Sequence, residues 1–289
     1  MINLILTTSA SHFKDSFGSR KNFRLVVLGT NRDGKNIFPD GEVFVKLPEL
    51  SKESRTVVLH SGAPNPNDGL AELEMILSIL KRGGIQNVEV FFTYLPYGMQ
   101  DKIHVEGETN AAEDLLRKLC EYYGVGKIYA IDPHFTEAPW LKGMPFVSVS
   151  AHETLLSAVR KNYPDAVFVS PDMGHETRTK GLMKGFQKTR TDSYTVTITH
   201  DGIFMSGIKG KTVAVVDDII ETGGTMIGFY NECEKFAPKE MVAVVTHGLL
   251  SSGIKRLKEK YLAVFISNTI NQEEANVDIS MLISRALVG

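Results

Sequence analysis

The stretch richest in chemistry is KTVAVVDDIIETGGTM, residues 211–226. An apolar run meets two adjacent acids, Asp217 and Asp218, and the chain then passes Glu221 and turns through Gly223 and Gly224. Backbone N–H groups at such a glycine turn point into one concavity and bind a phosphate, helped by the start of the helix that follows. The glycines permit positive φ and close approach, while Thr222 and Thr225 add hydroxyl donors. The two aspartates have a separate job. An anion loop flanked by paired carboxylates suits a ligand with a phosphate at one end and sugar hydroxyls or a metal ion at the other.

The elements that must hold these residues are legible from periodicity and punctuation. Leu70, Leu73, Ile76, Leu77 and Leu80 mark one helical face, with Asn67 or Asp68 as its cap and Gly83 and Gly84 closing it. NVEVFFTYLPYG predicts a buried strand that stops at Pro96 and leads to Gln100 and Asp101. A helix capped by Asn110 follows, then a short strand ending on Asp132 just before His134. Ser150 and Glu153 form a capping box for the next helix, and AVFVSPD predicts a strand ending on Asp172. After a long polar stretch come the strand ending at Asp217 and Asp218, a helix from Thr225, the strand EMVAVVTHG, a helix around Ile254 to Tyr261, the strand LAVFISN and a closing helix in DISMLISRAL. Strands alternating with helices, the strands almost continuously apolar, imply an α/β chain with parallel sheets covered on both faces. Ligands in such folds collect at the carboxyl ends of the strands, where these polar residues fall. The domain division is expected at 1–147 and 148–289.

Composition narrows the classes. A chain of 289 residues has room for about two domains. A formal charge of −2 with mixed signs gives no general attraction to nucleic acid or to a membrane surface. The two cysteines, Cys120 and Cys233, fall in helical segments without metal-ligand spacing, which fits packing thiols in a reduced cytoplasmic setting. The start, MINLILTTSA, lacks the basic region of a signal peptide, and nowhere do ~18 apolar residues run together.

The 211–226 stretch resembles the signature shared by type I phosphoribosyltransferases and ribose-phosphate diphosphokinases, and the wider chain is similar to the diphosphokinases from about Phe38 to about Ile270. FPDGE looks like that family's ATP-contacting segment, PNPNDGLAELEMILSILKRGG like its first long helix, and YLPYGMQDK like its ATP-binding strand end. IDPHF matches its metal-binding Asp-x-His, VSPDMG its second-domain Asp and THGLLSSG its late strand and turn. The resemblance implies two phosphoribosyltransferase-like domains, each a mostly parallel sheet flanked by helices, with ATP bound on the N-terminal side. It implies that Phe38, Asp40, Gly41, Glu42, Gln100 and Asp101 bind ATP, and that His134, Asp172 and Asp132 position Mg²⁺. Asp217, Asp218, Glu221, Thr222, Gly223, Gly224 and Thr225 would hold the ribose phosphate. Lys188 and Arg190, within the polar stretch ETRTKGLMKGFQKTRTDS, match a Lys-x-Arg on a flexible loop that closes over the phosphates, and are the expected catalytic cations. The implied activity is a Mg²⁺-dependent transfer of the β,γ-diphosphoryl group of ATP to the 1-hydroxyl of ribose 5-phosphate, in nucleotide biosynthesis. The implied assembly is a homo-oligomer, from a dimer up to a hexamer, with Phe38 to Glu42 reaching a neighbouring subunit.

Three departures qualify the likeness. Met99 stands where the family usually has Arg before Gln, which removes a charge-assisted contact to the nucleotide. The phosphate loop reads Glu-Thr-Gly-Gly-Thr where Asp-Thr-Ala-Gly-Thr is usual, and the residues before Asn36 lack the family's opening. A looser loop keeps a second acceptor open: ADP-ribose, giving its 1-diphosphate for NAD salvage. A phosphoribosyltransferase and a non-catalytic regulatory relative are the remaining alternatives.

Overall fold

The computed structural model describes residues 1–135, 137–171 and 207–289, and the strand backbones of 184–185, 187–190 and 196–199. The chain divides into two compact units. The first holds residues 1–150, 269–271 and 280–289; the second holds 151–268 and 272–279.

The first unit is built on six parallel strands: β1 (Ile2–Leu6), β2 (Phe23–Val26), β3 (Thr56–Ser61), β4 (Val88–Tyr94), β5 (Lys127–Ile131) and β6 (Phe146–Val149), in the order β2-β1-β3-β4-β5-β6. Every pairing is parallel. β3 is buried along its whole length, as a strand covered on both faces must be. The opening apolar run Ile2 to Leu6 is thus a central strand, paired with β2 on one side and β3 on the other.

Between β2 and β3 runs an exposed arm, closed by bridges Gly29–Lys46 and Ile37–Val43. α1 (Lys14–Gly18) is short. α2 (Pro66–Arg82) buries Leu73, Ile76, Leu77 and Leu80 in the same cluster as Val58, Val90 and Phe92. It starts at Pro66, ahead of the expected Asn67 or Asp68 cap, and Asn65 at the N-cap makes no side-chain cap bond. Proline suits that first position because its fixed φ is already helical and its missing N–H would have had no partner. α3 (Ala111–Arg117) is capped as expected: the Asn110 side chain accepts the Glu113 N–H at 3.3 Å.

The second unit opens with α4 (His152–Asn162). Its N-cap is Ala151 where Ser150 was expected. Ala151 is buried in near-helical backbone (φ −88°, ψ −6°), and its carbonyl already accepts the Leu155 N–H at 3.0 Å. The strands are β7 (Val167–Ser170), β8 (Lys184–Gly185), β9 (Gln187–Arg190), β10 (Val196–Thr199), β11 (Thr212–Ile220), β12 (Glu240–Gly248) and β13 (Ala263–Ile266). A parallel sheet runs β13-β12-β11-β7-β8, and β9 pairs with β10 as an antiparallel hairpin. Helices α5 (Gly224–Glu234) and α6 (Ser251–Lys260) connect the central strands. Met226, Phe229, Cys233, Ile254 and Leu257 are fully buried in one cluster with Val213, Val215, Ala243 and Val245.

The closing helix α7 (Ser280–Val288) counts with the first unit, whereas the sequence placed it in the second domain. Two arginines grip its ends. Arg20 Nη2 donates to Ser280 Oγ at 2.9 Å, and Arg55 Nη1 donates to the Leu287 carbonyl at 2.6 Å. Among the described residues no helix is long and apolar enough to cross a membrane.

Candidate active site

β11 carries the chain into the site. It runs nine residues and does not stop at the aspartates: Ile219 and Ile220 continue the ladder against His247 and Gly248 of the equally long β12. Asp217 is half-buried and Asp218 is buried. One oxygen of each is held by the next backbone N–H, from Asp218 to Asp217 Oδ1 at 3.0 Å and from Ile219 to Asp218 Oδ1 at 2.9 Å. Both carboxylates are therefore fixed by the backbone that presents them.

The turn follows at once. Glu221, Thr222 and Gly224 are exposed. Gly223 is left-handed (φ 75°) and is the N-cap of α5, a conformation that favours glycine. Its carbonyl accepts the Ile227 N–H at 3.0 Å, and no acid occupies the first turn. The strand, the αL turn and the helix N-terminus form an anion cradle beside two fixed carboxylates. Behind it, Tyr261 donates to the Met226 carbonyl at 2.7 Å. Burial pushes the Tyr261 phenol well above its ordinary range, with the charges of Cys233 and Asp217 adding to the effect.

In the first unit the residues expected to bind the nucleotide and the metal lie at three places. Gln100 and Asp101 follow β4. The segment turns through Tyr97 (φ 58°), the Gln100 N–H donates to the Tyr97 carbonyl at 2.9 Å, and the Ala112 N–H donates to the Gln100 carbonyl at 3.1 Å. Met99 is exposed beside them. Asp132 and His134 follow the neighbouring β5. Asp132 is buried in left-handed backbone (φ 34°) and its N–H donates to the Val149 carbonyl, while His134 is exposed. A non-glycine residue in this region is strained, and such strain collects at functional sites. The two strand ends are tied together by Trp140, whose Nε1 donates to the Asp101 carbonyl at 3.0 Å.

The third place is the tip of the arm. Gly41 (φ 96°) turns it, the Phe38 N–H donates to the Glu42 carbonyl at 2.8 Å, and Asp40 Oδ1 accepts the Glu42 N–H at 3.1 Å. Phe38 stands edge-on to Phe44 with centroids 5.5 Å apart and remains 39% exposed. These bonds close within the arm, and its tip stands in solvent.

Lys188 and Arg190 lie on β9, in register with Ile198 and Val196. The backbone there is a hairpin strand within the stretch expected as a flexible loop, in keeping with the β-branched run Val196, Thr197, Ile198 and Thr199. Asp172 lies outside the described residues. Among the described residues no three His, Cys, Asp or Glu side chains converge as a metal site. Sequence reasoning gave no role to Arg256 or to Gly253, the last residue of the THGLLSSG motif, and both back the cradle. A lone Gly and a basic residue on an exposed helix carry no local signal of such a role.

Comparison with known proteins bears on these groupings. The model for the N-terminal domain of ribose phosphate pyrophosphokinase matches residues 28–124, and that for the phosphoribosyl transferase domain matches residues 161–283. The chain belongs to the ribose-phosphate pyrophosphokinase family. Among relatives so named, the protein of Pyrococcus abyssi is 28% identical over 252 residues, covering 84% of this chain and 85% of that protein. The one of Thermococcus kodakarensis is 27% identical over 283 residues, covering 95% and 96%. The crystal structure of a phosphoribosylpyrophosphate synthetase from Mycobacterium smegmatis has the same fold, with a TM-score of 0.82 and 24% identity over 99% of this chain and 97% of that one. Within the family's two-domain plan, the arm and the strand ends of β4 and β5 fall in or just beyond the N-terminal match, and the anion cradle falls in the second.

Proposed function

We propose that this chain transfers the β,γ-diphosphoryl group of ATP to the anomeric 1-hydroxyl of ribose 5-phosphate, releasing AMP and phosphoribosyl diphosphate. The observation that carries the proposal is the cradle at 221–225, an αL glycine turn on a helix N-terminus beside two backbone-fixed carboxylates, in a chain of this family. Thr222, Gly223, Gly224 and Thr225 take the 5-phosphate with N–H and hydroxyl donors. Asp217 and Asp218 hold the 2- and 3-hydroxyls and so aim O1 at the β-phosphorus. That is catalysis by positioning.

Lys188 and Arg190 supply positive charge to the diphosphoryl group as charge grows on the leaving oxygen. Phe38, Asp40, Gly41, Glu42, Gln100 and Asp101 bind ATP. The arm, exposed at its tip, extends to the site of a neighbouring subunit in a homo-oligomer. Asp217 and Asp218 offer hard carboxylate oxygens of the kind Mg²⁺ prefers, and in the first unit buried Asp132, with His134 two residues on, offers a second point of attachment; Asp172 is the further residue that the family resemblance assigns to the metal. These residues would hold Mg²⁺, which would supply neutralising charge to the phosphates. The setting is cytoplasmic.

The exposed Glu221, Thr222 and Gly224 favour one second reading. A cradle open on that side has room for a phosphate carrying a substituent, so ADP-ribose is the competing acceptor. Mass spectrometry of products from ATP and Mg²⁺, with each acceptor offered separately, tests both. AMP and phosphoribosyl diphosphate from ribose 5-phosphate is the expected result, and ATP consumption with ADP-ribose alone overturns it in favour of the second acceptor.

A further inference from the structure

The cradle is shaped from behind. A Cβ at Gly253, in the first turn of α6, would lie 2.0 Å from the Glu221 carbonyl oxygen, so only glycine lets the helix backbone touch the loop backbone there. Across the contact, a Cβ at Gly223 would lie 3.2 Å from the Gly253 carbonyl oxygen. One turn further along α6, Arg256 Nη1 donates to the Thr222 carbonyl at 2.6 Å. At the root of the loop the Leu249 N–H donates to the Ile220 carbonyl at 2.8 Å. Three successive carbonyls, those of Ile220, Glu221 and Thr222, are thus all engaged on the α6 side.

A trans peptide is planar, with its C=O and the following N–H pointing in opposite directions, and the peptide bonds of residues 220–225 are trans. Holding the carbonyls of Glu221 and Thr222 toward α6 therefore turns the N–H groups of Thr222 and Gly223 away from it, into the concavity. We propose that α6 sets the aim of the cradle's N–H groups, with Gly253 and Arg256 as positioning residues for the phosphate end of the acceptor. Neither touches the substrate. Gly253 allows the contact, and Arg256, whose planar guanidinium fixes the direction of its hydrogen bond, locks the Thr222 peptide. This rests on the reading that residues 221–225 bind the 5-phosphate.

The test compares wild type, Gly253→Ala, Arg256→Ala and Arg256→Lys in steady state with ATP, Mg²⁺ and ribose 5-phosphate. Arg256→Ala raises KM for ribose 5-phosphate at least tenfold with KM for ATP unchanged within twofold, guanidinium in the buffer recovers part of the loss, and Arg256→Lys lies between. Gly253→Ala shifts the same KM in the same direction. Because Arg256 is exposed, its variants are expected to fold even where Gly253→Ala does not. An unchanged KM for ribose 5-phosphate in Arg256→Ala, or equal changes in both KM values without rescue, overturns the proposal.

If wild type does not turn over ribose 5-phosphate, the proposed reaction fails on its own. The brace is then judged by calorimetric titration of each protein with ribose 5-phosphate. Weaker binding to Arg256→Ala supports it, and equal binding, or none to either protein, overturns it.

Discussion

Asp217 and Asp218 sit inside a nine-residue strand, with two more ladder positions beyond them. An acid at a frayed strand end can swing; these two are anchored on both sides, and each lends an oxygen to a neighbouring N–H. If they aim the acceptor's hydroxyls, shortening or neutralising either one misplaces O1, and a displacement of about 1 Å can cost on the order of 100-fold. Asp218→Asn is therefore expected to lower kcat about 100-fold while ATP binding persists, measured as AMP release beside nucleotide titration. The loop cations act at the transition state instead. Lys188→Ala is expected to reduce kcat by roughly 100- to 1,000-fold with KM for ribose 5-phosphate little changed; a mutant as active as wild type removes the role assigned to Lys188. The acids and the glycines could be read from the chain because their chemistry is local, whereas the KTR triplet stands out only through the family resemblance. The extent of β11 could not, since whether Ile219 and Ile220 pair depends on the length of β12. Nor could the left-handed backbone at Asp132, which only the surrounding fold imposes.

At the scale of elements, what was legible was whatever a helix or strand declares through its own period: α2, α3, α5 and the central strands. What was not legible was tertiary. The assignment of α7 to the first unit depends on Arg20 and Arg55, more than 200 residues away in the chain. Arg55 is the more consequential, because it also pairs with Glu89 through two contacts of 2.8 Å, and Glu89 is only 15% exposed. Arg55→Met leaves that carboxylate and the end of α7 without their donor, which costs roughly 1–3 kcal/mol. The expected outcome is a lower Tm and faster proteolytic trimming of the C-terminal segment. Arg117→Ala, which breaks exposed pairs with Glu113 and Glu121, is the control and should leave Tm essentially unchanged. Equal losses from the two substitutions would mean that α7 is held by its apolar face alone.

Across the whole molecule, the two units carry opposite limits of pH stability. In the first, His60 is fully buried, with Nδ1 3.1 Å from Thr7 Oγ1 and Nε2 without a hydrogen-bond partner. Burial lowers its pKa from 6.5 to about 3. The unfolded chain takes up a proton from pH 6.5 downward and the fold does not, so stability is full above that pH and is lost as pH falls toward 3. Fully expressed, the effect is on the order of 5 kcal/mol. Glu72 works in the opposite sense: burial raises its carboxyl against the bonds from Thr8, so its cost enters only as pH rises above the ordinary carboxylate range. In the second unit, burial pushes the Cys233 thiol up to about 12 and the Tyr261 phenol well above its usual range. Their contribution is complete below about pH 9 and declines as pH rises, because the unfolded chain releases protons that the fold retains. The single tryptophan, Trp140, lies in the first unit against Phe135, at 4.8 Å between ring centroids, so its fluorescence follows that unit. His60→Gln should flatten the fall of Tm between pH 6.5 and 4, and should move the acid transition seen by Trp140 to lower pH by at least half a unit. The alkaline transition, followed by tyrosine absorbance, should stay where it is. An unaltered acid slope in His60→Gln would place the acid limit elsewhere in the first unit, while a shift of both transitions together would show that the units unfold as one.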